Sequence, residues 1–333
     1  MYAHSIKLIN FRNHVSFEAE FNRINYIVGH NGSGKTSVLE AIYTAINGKS
    51  FRHQKLKKLA KIGTVNTYVN ILLDKASVKH NISLVINNKA AFYTDKKKLK
   101  SIKENIFSFP VFVYSPENEG LLSKNQYYRL QFVDRLSFYL NKLHFDNLKC
   151  YNKLFRLKAH LLMGYRIDNN YLNTINEMIC KYSDLIADTR KKIVEKLNKY
   201  IVNLIKNGFY SKNIKINYIK NLFDRGILER ELLKKKVLTG THKDKISILF
   251  DDTYDESLIS FGQKKFIAIL YLYAASLIVA EILNDDIMII LDDFENGLDE
   301  DVLSRFQSLF SNNQLIITGT ENKFFNEANV IRL

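Results

Sequence analysis

Apolar and polar residues alternate over the first twenty positions with the two-residue period of a β-strand. The alternating apolar positions are Ile6, Leu8, Val15, Phe17, Ala19 and Phe21. Because successive side chains of a strand point to opposite faces, this pattern predicts a hairpin that turns at Arg12-Asn13-His14. Two further segments between residues 69 and 86, VNILL and ISLVI, predict more strands of a small antiparallel sheet.

Three other short runs are apolar throughout and are bounded by turn residues. They are VFVY at 111–114, IMIIL at 287–291 and LIIT at 315–318. A strand that is covered on both faces needs apolar side chains on both, so these runs predict the buried strands of a second sheet.

The middle of the chain has the composition of long helices. Between Leu121 and Asn207 there is a single glycine, Gly164, and no proline. One helical face is predicted from apolar residues spaced three and four apart, namely Leu172, Ile175, Ile179, Tyr182, Ile186, Ile193 and Leu197. A helix of about 30 residues spans only about 45 Å, so we expect a compact helical lobe rather than a coiled-coil arm.

A further helix is predicted at FIAILYLYAASLIVAEIL, which follows Lys264 and Lys265. We interpret it as a buried core helix rather than a membrane span. The N-terminus lacks the basic and apolar regions of a signal peptide. Cys150 and Cys180 are too far apart for a C-x-x-C element, which favours buried thiols in a reducing cytosol.

The charge balance narrows the classes of partner. The 333 residues include 49 Lys+Arg and 34 Asp+Glu, which gives a net charge of +15 and a pI near 9.5. Such a surface favours nucleic acid or an anionic membrane. The alternative is that the many Lys, Asn and Ile residues reflect an AT-rich genome; we favour nucleic acid.

A phosphate-binding motif lies between a predicted strand and a predicted helix. Ile24–Val28 forms the strand, GHNGSGKT follows, and an amphipathic helix ends at Asn47-Gly48. This order is the context that G-x-x-x-x-G-K-[ST] requires. The predicted nucleotide-binding residues are Gly29, His30, Asn31, Gly32, Ser33, Gly34, Lys35 and Thr36.

The residue types of this loop suit ATP with Mg²⁺. Glycines let backbone N–H groups turn onto the β-phosphate, and the N-terminus of the next helix adds its dipole. Lys35 reaches the β- and γ-phosphate oxygens and takes part in catalysis, whereas Thr36 offers its hydroxyl to the metal. ATP and Mg²⁺ are therefore the predicted cofactors.

Two carboxylates follow the buried strand IMIIL. Mg²⁺ prefers oxygen ligands and an attacking water must be oriented, so we assign Asp292 to the metal, through its water, and Asp293 to the attacking water. The alternative is that both carboxylates cap the next helix. Asp299, which follows in FENGLDED, favours the first interpretation.

A second anion site is predicted at SFGQKKF, residues 260–266, where Ser260, Gly262 and Gln263 open the apolar helix. S-x-G-Q by itself fits an ordinary helix N-cap equally well. Its position roughly 25 residues before the acidic strand favours the anion site. Since the chain already has one phosphate cradle, this second site suits the γ-phosphate of another subunit's ATP. The sequence therefore predicts an ATP-dependent homodimer.

Together these motifs resemble the RecF family of bacterial recombination mediators, ABC-type ATPases related to SMC proteins. The matching segments, in order, are IKLINFRNH, INYIVGHNGSGKTSVLEAIY, NGKSFR, YSPEN, YYRLQFVDR, GTHKD, SFGQKK and LDDFENGLD. The resemblance implies an α/β, ABC-type P-loop ATPase head with a mixed sheet, a small antiparallel sheet and an inserted helical lobe. Residues 1–120 and 237–333 would form the head, and residues 121–236 the lobe.

The same resemblance implies a function in recombinational repair and replication restart. It implies dimerisation on ATP, binding of gapped, single-stranded and duplex DNA with slow hydrolysis, and cooperation with RecR and RecO. It also implies a cytoplasmic, nucleoid-associated protein without a membrane partner. Arg12, in NFRNH, matches an arginine placed near the nucleotide; the alternative is a surface arginine of the hairpin.

Some positions depart from the family pattern. Tyr128-Arg129 replaces paired arginines, GTHKDK replaces Gly-Pro-His-Arg-Asp-Asp, and Gly297 replaces a common acidic residue. Gln126 and Gln131 are candidates for the Q-loop glutamine. Thr318 or Thr320 stands where transporter ATPases have a histidine. These departures bear on the rate of hydrolysis more than on ATP binding.

Other classes of protein fit less well. A transporter ATPase usually has fewer residues between cradle and signature, an SMC protein needs hundreds of coiled-coil residues, and a small-molecule kinase lacks S-x-G-Q. The remaining alternatives to a weak DNA-dependent ATPase are a DNA clamp switched by ATP with negligible hydrolysis, and an ABC-type subunit of another repair complex.

Overall fold

A computed structural model of the chain describes residues 1–164, 168–208, 212–221, 225–251, 259–310, 313–320 and 327–333. The strands are β1 (Tyr2–Phe11), β2 (His14–Glu20), β3 (Ile24–Val28), β4 (Thr67–Lys75), β5 (Val78–Ile86), β6 (Ala90–Thr94), β7 (Lys97–Lys98), β8 (Val111–Tyr114), β9 (Ile214–Ile219), β10 (Lys245–Phe250), β11 (Met288–Leu291), β12 (Gln314–Gly319) and β13 (Asn329–Arg332). The helices are α1 (Lys35–Asn47), α2 (Lys103–Ser108), α3 (Gln126–Leu140), α4 (His144–Leu162), α5 (Asn169–Lys206), α6 (Arg225–Lys234), α7 (Phe261–Leu283) and α8 (Glu300–Leu309).

The chain divides into two compact units. The first contains Met1–Glu119 and Phe261–Leu333, and the second contains Gly120–Ser260. The C-terminal end of the second unit differs from our prediction, in which the helical lobe ends at residue 236 and the head resumes at residue 237. Residues 237–260 belong to the second unit because β10 pairs with β9 in antiparallel register, Lys245 opposite Ile219.

The first unit contains an antiparallel sheet of six strands, in the order β2-β1-β4-β5-β6-β7. Phe11 stands opposite His14, so β1 and β2 form the hairpin predicted at Arg12-Asn13-His14. Along β4, buried and half-buried residues alternate, as the sequence predicts for a sheet with one covered face. The pairing of β4 with β5 likewise confirms the strands predicted between 69 and 86.

The second sheet of this unit is parallel, in the order β13-β3-β12-β11-β8. Every residue of β8, β11 and β12 is buried, which confirms the prediction of strands covered on both faces. One set of their side chains packs in a single core with α1 and the antiparallel sheet, namely Val111, Val113, Met288, Ile290 and Ile316. Helix α1 contacts strands of both sheets and is buried at nearly every position.

Helix α7 begins at Phe261, so it contains Lys264 and Lys265 as well as the predicted apolar run that follows them. By length and composition it is the one helix among the described residues that could cross a membrane, with a mean hydropathy of 2.2. Within the protein, however, 67% of that window is buried, and its tyrosine Tyr271 is almost inaccessible. Burial of this extent is typical of a core helix, as we expect from the sequence.

The second unit packs α3, α4 and α5 with the two-stranded antiparallel sheet of β9 and β10. Helix α5 has 38 residues and so spans about 57 Å, longer than the helix expected from the periodic positions. Asp168 caps its N-terminus by accepting a hydrogen bond from the Tyr171 N–H at 3.1 Å. Its predicted apolar face is buried, including Leu172, Ile186 and Leu197, except at Tyr182, which is half-buried.

A buried charged cluster joins α3, α4, α5, β9 and the segment before β10 in the second unit. Arg190 donates to both carboxylate oxygens of Asp134 at 2.7 and 2.9 Å, and to Asp244 at 2.7 Å. Tyr218 donates to Asp244 at 2.5 Å, and His144 lies 2.8 Å from Asp134. Burial opposes ionisation of Asp134, but the charge and hydrogen bonds of Arg190 and His144 outweigh it and lower its pKa. The GTHKD segment thus contributes Asp244 to the structure of this unit.

Candidate nucleotide-binding site

The P-loop connects β3 to α1 and is packed against the β1–β2 turn. Gly34 has φ +106°, and a Cβ there would collide with His14 Nε2. Asn13 Nδ2 donates to the Gly32 carbonyl at 3.3 Å, and His14 Nε2 lies 3.1 Å from the Gly34 carbonyl. Only glycine satisfies both the left-handed backbone and this close approach.

Lys35 lies at the first position of α1 and its side chain turns back over the loop. Its Nζ donates to the carbonyls of Gly29 at 2.7 Å and His30 at 3.0 Å. The ammonium is therefore held at the inner surface of the predicted phosphate cradle. The same loop is closed by a bond from the Ser33 N–H to the His30 carbonyl at 3.1 Å.

Asp292 follows β11 and lies directly beside the start of α1. Its Oδ1 accepts hydrogen bonds from Thr36 Oγ1 at 2.9 Å and from Thr318 Oγ1 at 2.7 Å. The residue is only 3% exposed, and burial raises its pKa although the two hydroxyls act against the shift. None of the ion pairs between residues that the structure describes involves this carboxylate.

Asp293 is the next residue and adopts a left-handed backbone conformation with φ +48°. Its N–H donates to Thr318 Oγ1 at 3.1 Å, and its carbonyl accepts from Lys265 Nζ at 2.6 Å. Lys265 also donates to the Asn296 carbonyl at 2.8 Å. Burial lowers the pKa of Lys265 to about 8, against the attraction of the nearby carboxylates. The turn after β11 is therefore fixed from both sides, and Asp293 remains half-buried beside the cleft.

Arg12 lies at the β1–β2 turn with φ +56°. Its Nε and one terminal nitrogen donate to the two carboxylate oxygens of Glu40 at 2.8 Å each. Its other terminal nitrogen lies 3.3 Å from the Lys58 carbonyl. Glu40 is fully buried and also accepts a hydrogen bond from Ser50. The Arg12 guanidinium is therefore held in place by Glu40, while 21% of the Arg12 side chain remains exposed at the cleft.

These elements enclose an open cleft of about 790 Å³. The lining residues include Arg12, Asn31, Gly32, Gly34, Lys35, Thr36, Arg52, Lys58, Lys61, Ile62 and Asp293. Five of them are cationic, and Ile62, 98% exposed, gives the mouth of the cleft an apolar surface. Gly29 and His30 border a neighbouring cavity of about 480 Å³ together with Thr320 and Arg332. The cleft has the charge and size for a nucleoside triphosphate.

The signature residues lie at the exposed start of α7. Ser260 and Gln263 are exposed, and Phe261 is 66% exposed. Gly262 approaches the turn after β11 so closely that a Cβ would lie 2.8 Å from the Gly297 carbonyl. Gly262 and Gln263 are not among the described residues that line the cleft of their own chain. The structure therefore brings Lys35, Thr36, Asp292 and Asp293 together and leaves the signature turn on the surface.

Several residues of the site were not predicted from the sequence. The sequence indicates Thr318 or Thr320 only as the residue in place of the transporter histidine, yet the Thr318 hydroxyl donates to Asp292 and accepts from the Asp293 N–H. Glu40 is the only charged residue in the apolar run of α1, which is the signal that could have revealed it. Gln126, a candidate for the Q-loop glutamine, instead bonds to the backbone of β10. Its Nε2 donates to the Ile246 carbonyl at 2.8 Å, and its Oε1 accepts from the Ile246 N–H at 2.9 Å.

The P-loop and the carboxylates after β11 lie at the ends of strands in one parallel sheet, and an S-x-G-Q turn precedes β11 in the chain. This combination defines an ABC-type ATPase head. The family model of the RecF/RecN/SMC N terminal domain matches residues 2–332. An SMC head bound to the C-winged helix domain of ScpA shares this fold, with a TM-score of 0.60, 13% identity and coverage of 100% of this chain and 94% of that one.

Proteins with a higher sequence identity to this chain than the SMC head are RecF proteins. The DNA replication and repair protein RecF of Clostridioides difficile (strain 630) is 28% identical to this chain. The alignment covers 98% of this chain and 94% of that protein. RecF of Clostridium botulinum (strain Loch Maree / Type A3) is 30% identical over 93% of its length and 96% of this chain. A solved structure of the recombination mediator protein RecF with ATPrS has a TM-score of 0.88 at 23% identity, covering all of this chain and 96% of that one. The chain belongs to the RecF family.

Proposed function

We propose that the chain is an ATP-dependent DNA-binding protein of recombinational repair and replication restart. The observation that carries this proposal is that Lys35 and Thr36 line one cationic cleft while the Thr36 hydroxyl lies 2.9 Å from the Asp292 carboxylate. Membership of the RecF family supports the repair function, and the RecF structure with ATPrS supports ATP as the ligand.

ATP would lie on the inner surface of the P-loop, where backbone N–H groups point at the β-phosphate. Lys35 would exchange the carbonyls of Gly29 and His30 for phosphate oxygens, which are stronger acceptors for an ammonium. Arg12 already holds Glu40 through its Nε and one terminal nitrogen, so we propose that it faces the nucleotide through its exposed edge only.

The donor set around Asp292 fits Mg²⁺. A threonine hydroxyl and a buried carboxylate lie 2.9 Å apart, and both are hard oxygen ligands of the kind that Mg²⁺ prefers. Among the described residues no group of three His, Cys, Asp or Glu could hold a metal alone, which suits an ion shared with phosphates. Thr36 would bind the metal directly and Asp292 through its water; the ion would neutralise charge on the phosphates.

The signature turn would complete the site of a second copy of the chain. Ser260, Gly262 and Gln263 are placed on an exposed helix start, where a hydroxyl, a backbone N–H and the helix dipole suit an anion. We propose that this turn closes on the γ-phosphate held by the other subunit's Lys35. ATP would thereby join two heads, and DNA would bind to the basic surface of the dimer.

Hydrolysis would release the dimer. Asp293 lies at the cleft and would orient the attacking water through its carboxylate. The absence of the transporter-type histidine, whose place Thr318 or Thr320 takes, supports slow turnover, as in a weak DNA-dependent ATPase. RecR and RecO, partners implied by the family, would act with the ATP-bound dimer in the cytoplasm at the nucleoid.

The trans site is tested by sedimentation with and without ATP. We expect Ser260→Arg to lose the ATP-linked dimer, because the bulky side chain blocks the second half-site. Thr174→Arg, at an exposed position of α5, adds the same charge and should keep the dimer. Mixing Ser260→Arg with Lys35→Ala restores one complete site, so the mixture should associate on ATP. An ATP-linked dimer of Ser260→Arg alone would refute the proposal.

The distinction between an ATPase and an ATP-switched clamp needs a second measurement. ATP turnover and molecular mass are measured on the same samples with gapped DNA, duplex DNA and no DNA. Turnover that rises with DNA supports the ATPase. An ATP-linked dimer that binds DNA with no turnover above the Lys35→Ala background supports the clamp.

A further inference from the structure

A run of three lysines in the first unit is not used by the nucleotide site. Lys96, Lys97 and Lys98 lie at the β6–β7 turn, and Lys100 follows. All four are exposed, and none of the ion pairs between described residues involves them. The segment is therefore a concentrated positive charge with no counterion among the residues that the structure describes.

The turn that presents these lysines is held firmly. Asp95 and Lys96 have φ +50° and +67°, as in a two-residue type I′ hairpin turn. Neither is glycine, and the Asp95 carboxylate compensates by accepting from the Asn81 N–H at 2.8 Å and lying 2.8 Å from His80 Nδ1. Asp95 is thereby engaged within the sheet, next to the lysines.

The lysines continue a row of hydrogen-bond donors across the uncovered face of the sheet. Cross-strand pairing places Lys98, Tyr93, Ser83, Asn70 and Lys7 opposite one another on successive strands. Lys98 and Lys7 are exposed, and the three between them are half-buried; Asn70 Nδ2 donates one of its two hydrogens to Ser83 Oγ at 2.9 Å, which leaves its second N–H and the Ser83 O–H as donors. The row holds no carboxylate until Glu18, which lies 2.5 Å from Lys7 Nζ.

We propose that this donor row and the lysines of the β6–β7 turn bind the sugar–phosphate backbone of duplex DNA. Lysine, serine, asparagine and tyrosine are among the side chains that contact the phosphates of DNA. A rigid hairpin with four exposed cations complements the regular charge of a duplex. The proposal rests on the proposed function for its partner and adds the surface at which that partner binds.

A second explanation for these lysines is protection of the sheet edge. Strand β7 ends the six-stranded sheet, and lysines on an edge strand discourage pairing with another chain. Edge protection does not account for Lys100, which follows the strand, or for the donors at Tyr93, Ser83 and Asn70. The two explanations differ in what removal of the charge does to DNA affinity.

The test compares two triple variants that each lose three positive charges. The first is K96Q/K97Q/K98Q. The control is K234Q/K235Q/K236Q, a second run of three exposed lysines at the end of α6 in the other unit. Affinity for one duplex is measured in the presence of ATP at several salt concentrations. ATP-linked dimerisation is measured for both variants, since neither run belongs to the nucleotide site.

We expect the first variant to bind DNA at least tenfold more weakly at low salt. Its log–log salt dependence should flatten by about 0.9 for each phosphate that the variant no longer neutralises. The control should change both quantities much less. Equal reductions of affinity in the two variants, or unchanged affinity with aggregation of the first, would overturn the proposed surface. Failure of the unaltered protein to bind DNA would instead overturn the proposed function as well.

Discussion

Two buried carboxylate clusters, one in each unit, differ in what balances their charge. In the second unit, Asp134 and Asp244 share the guanidinium of Arg190 at 2.7 Å. In the first unit, Asp292 has two hydroxyl partners, Thr36 and Thr318, and takes part in no ion pair among the described residues. Accordingly the pKa of Asp134 is lowered and that of Asp292 is raised by burial.

This difference distinguishes carboxylates that stabilise the fold from a carboxylate that would bind a ligand. A buried charge without a counterion opposes folding, so it persists where another molecule supplies the opposite charge. Asp292 stands at the end of β11, beside Thr36 and the P-loop, where ATP with Mg²⁺ would supply that charge. The Arg190 cluster is balanced internally and joins α3, α5 and the segment before β10. The two clusters therefore predict opposite consequences of substitution.

The largest effect is expected for Arg190→Met. Removal of the guanidinium leaves Asp134 and Asp244 without their shared cation and should lower the free energy of unfolding by about 3–5 kcal/mol. Denaturant unfolding followed by circular dichroism measures the change. Lys192→Met, an exposed position on the same helix, should change it by less than about 0.5 kcal/mol. A similar small change for both variants would show that the cluster does not stabilise the unit.

The same comparison has a pH dependence. The folded-state pKa of Asp134 is lowered, so its stabilising effect is present above the ordinary aspartate pKa of about 3.9 and is lost as pH falls through the folded value. The difference in unfolding free energy between the unaltered protein and Arg190→Met should therefore be full at neutral pH and shrink below about pH 4.

A smaller effect, confined to turnover, is expected for Asp293→Asn. The carboxylate that would orient the attacking water is removed, and removal of such a group typically slows the chemical step about 100-fold or more. Because the backbone contacts of Asp293 with Thr318 and Lys265 remain, the ATP-linked dimer should persist. Asp301→Asn, an exposed residue of α8, is the matched control. Loss of the dimer in Asp293→Asn would show that its carboxylate has a different role.

Much of the first unit could be predicted from the sequence because its signals are local. The alternation before and after Arg12, the apolar runs of β8, β11 and β12, and the strand, loop and helix order of the P-loop all report on neighbouring residues. Each was found where the sequence predicted it.

The interactions that the sequence did not reveal depend on residues far apart in the chain. Thr318 reaches Asp292 only because β12 lies beside β11 in parallel register, Ile317 opposite Leu291. Glu40 meets Arg12 only after the β1–β2 turn packs against α1. The end of the second unit at Ser260 follows from the pairing of β10 with β9, and β10 has no feature that distinguishes it from a strand of the head.

The smallest change in stability, and one of opposite sign, is expected for Asp292→Asn. The amide oxygen can still accept from Thr36 and Thr318, while the unbalanced buried charge is removed. Without nucleotide, the variant should be as stable as the unaltered protein or more stable. In the unaltered protein a saturating ligand adds to the free energy of unfolding, by about 2.7 kcal/mol at 100 times its Kd.

The role of Asp292 is tested most directly by denaturant unfolding of the unaltered protein and of Asp292→Asn, each with and without Mg²⁺ and ATP. We expect only the unaltered protein to gain stability from Mg²⁺ and ATP, and the nucleotide-free variant to be no less stable than the nucleotide-free unaltered protein. An equal gain in both proteins would contradict the assignment of Asp292 to the metal. A nucleotide-free variant less stable by several kcal/mol would show that this carboxylate is structural, like Asp134.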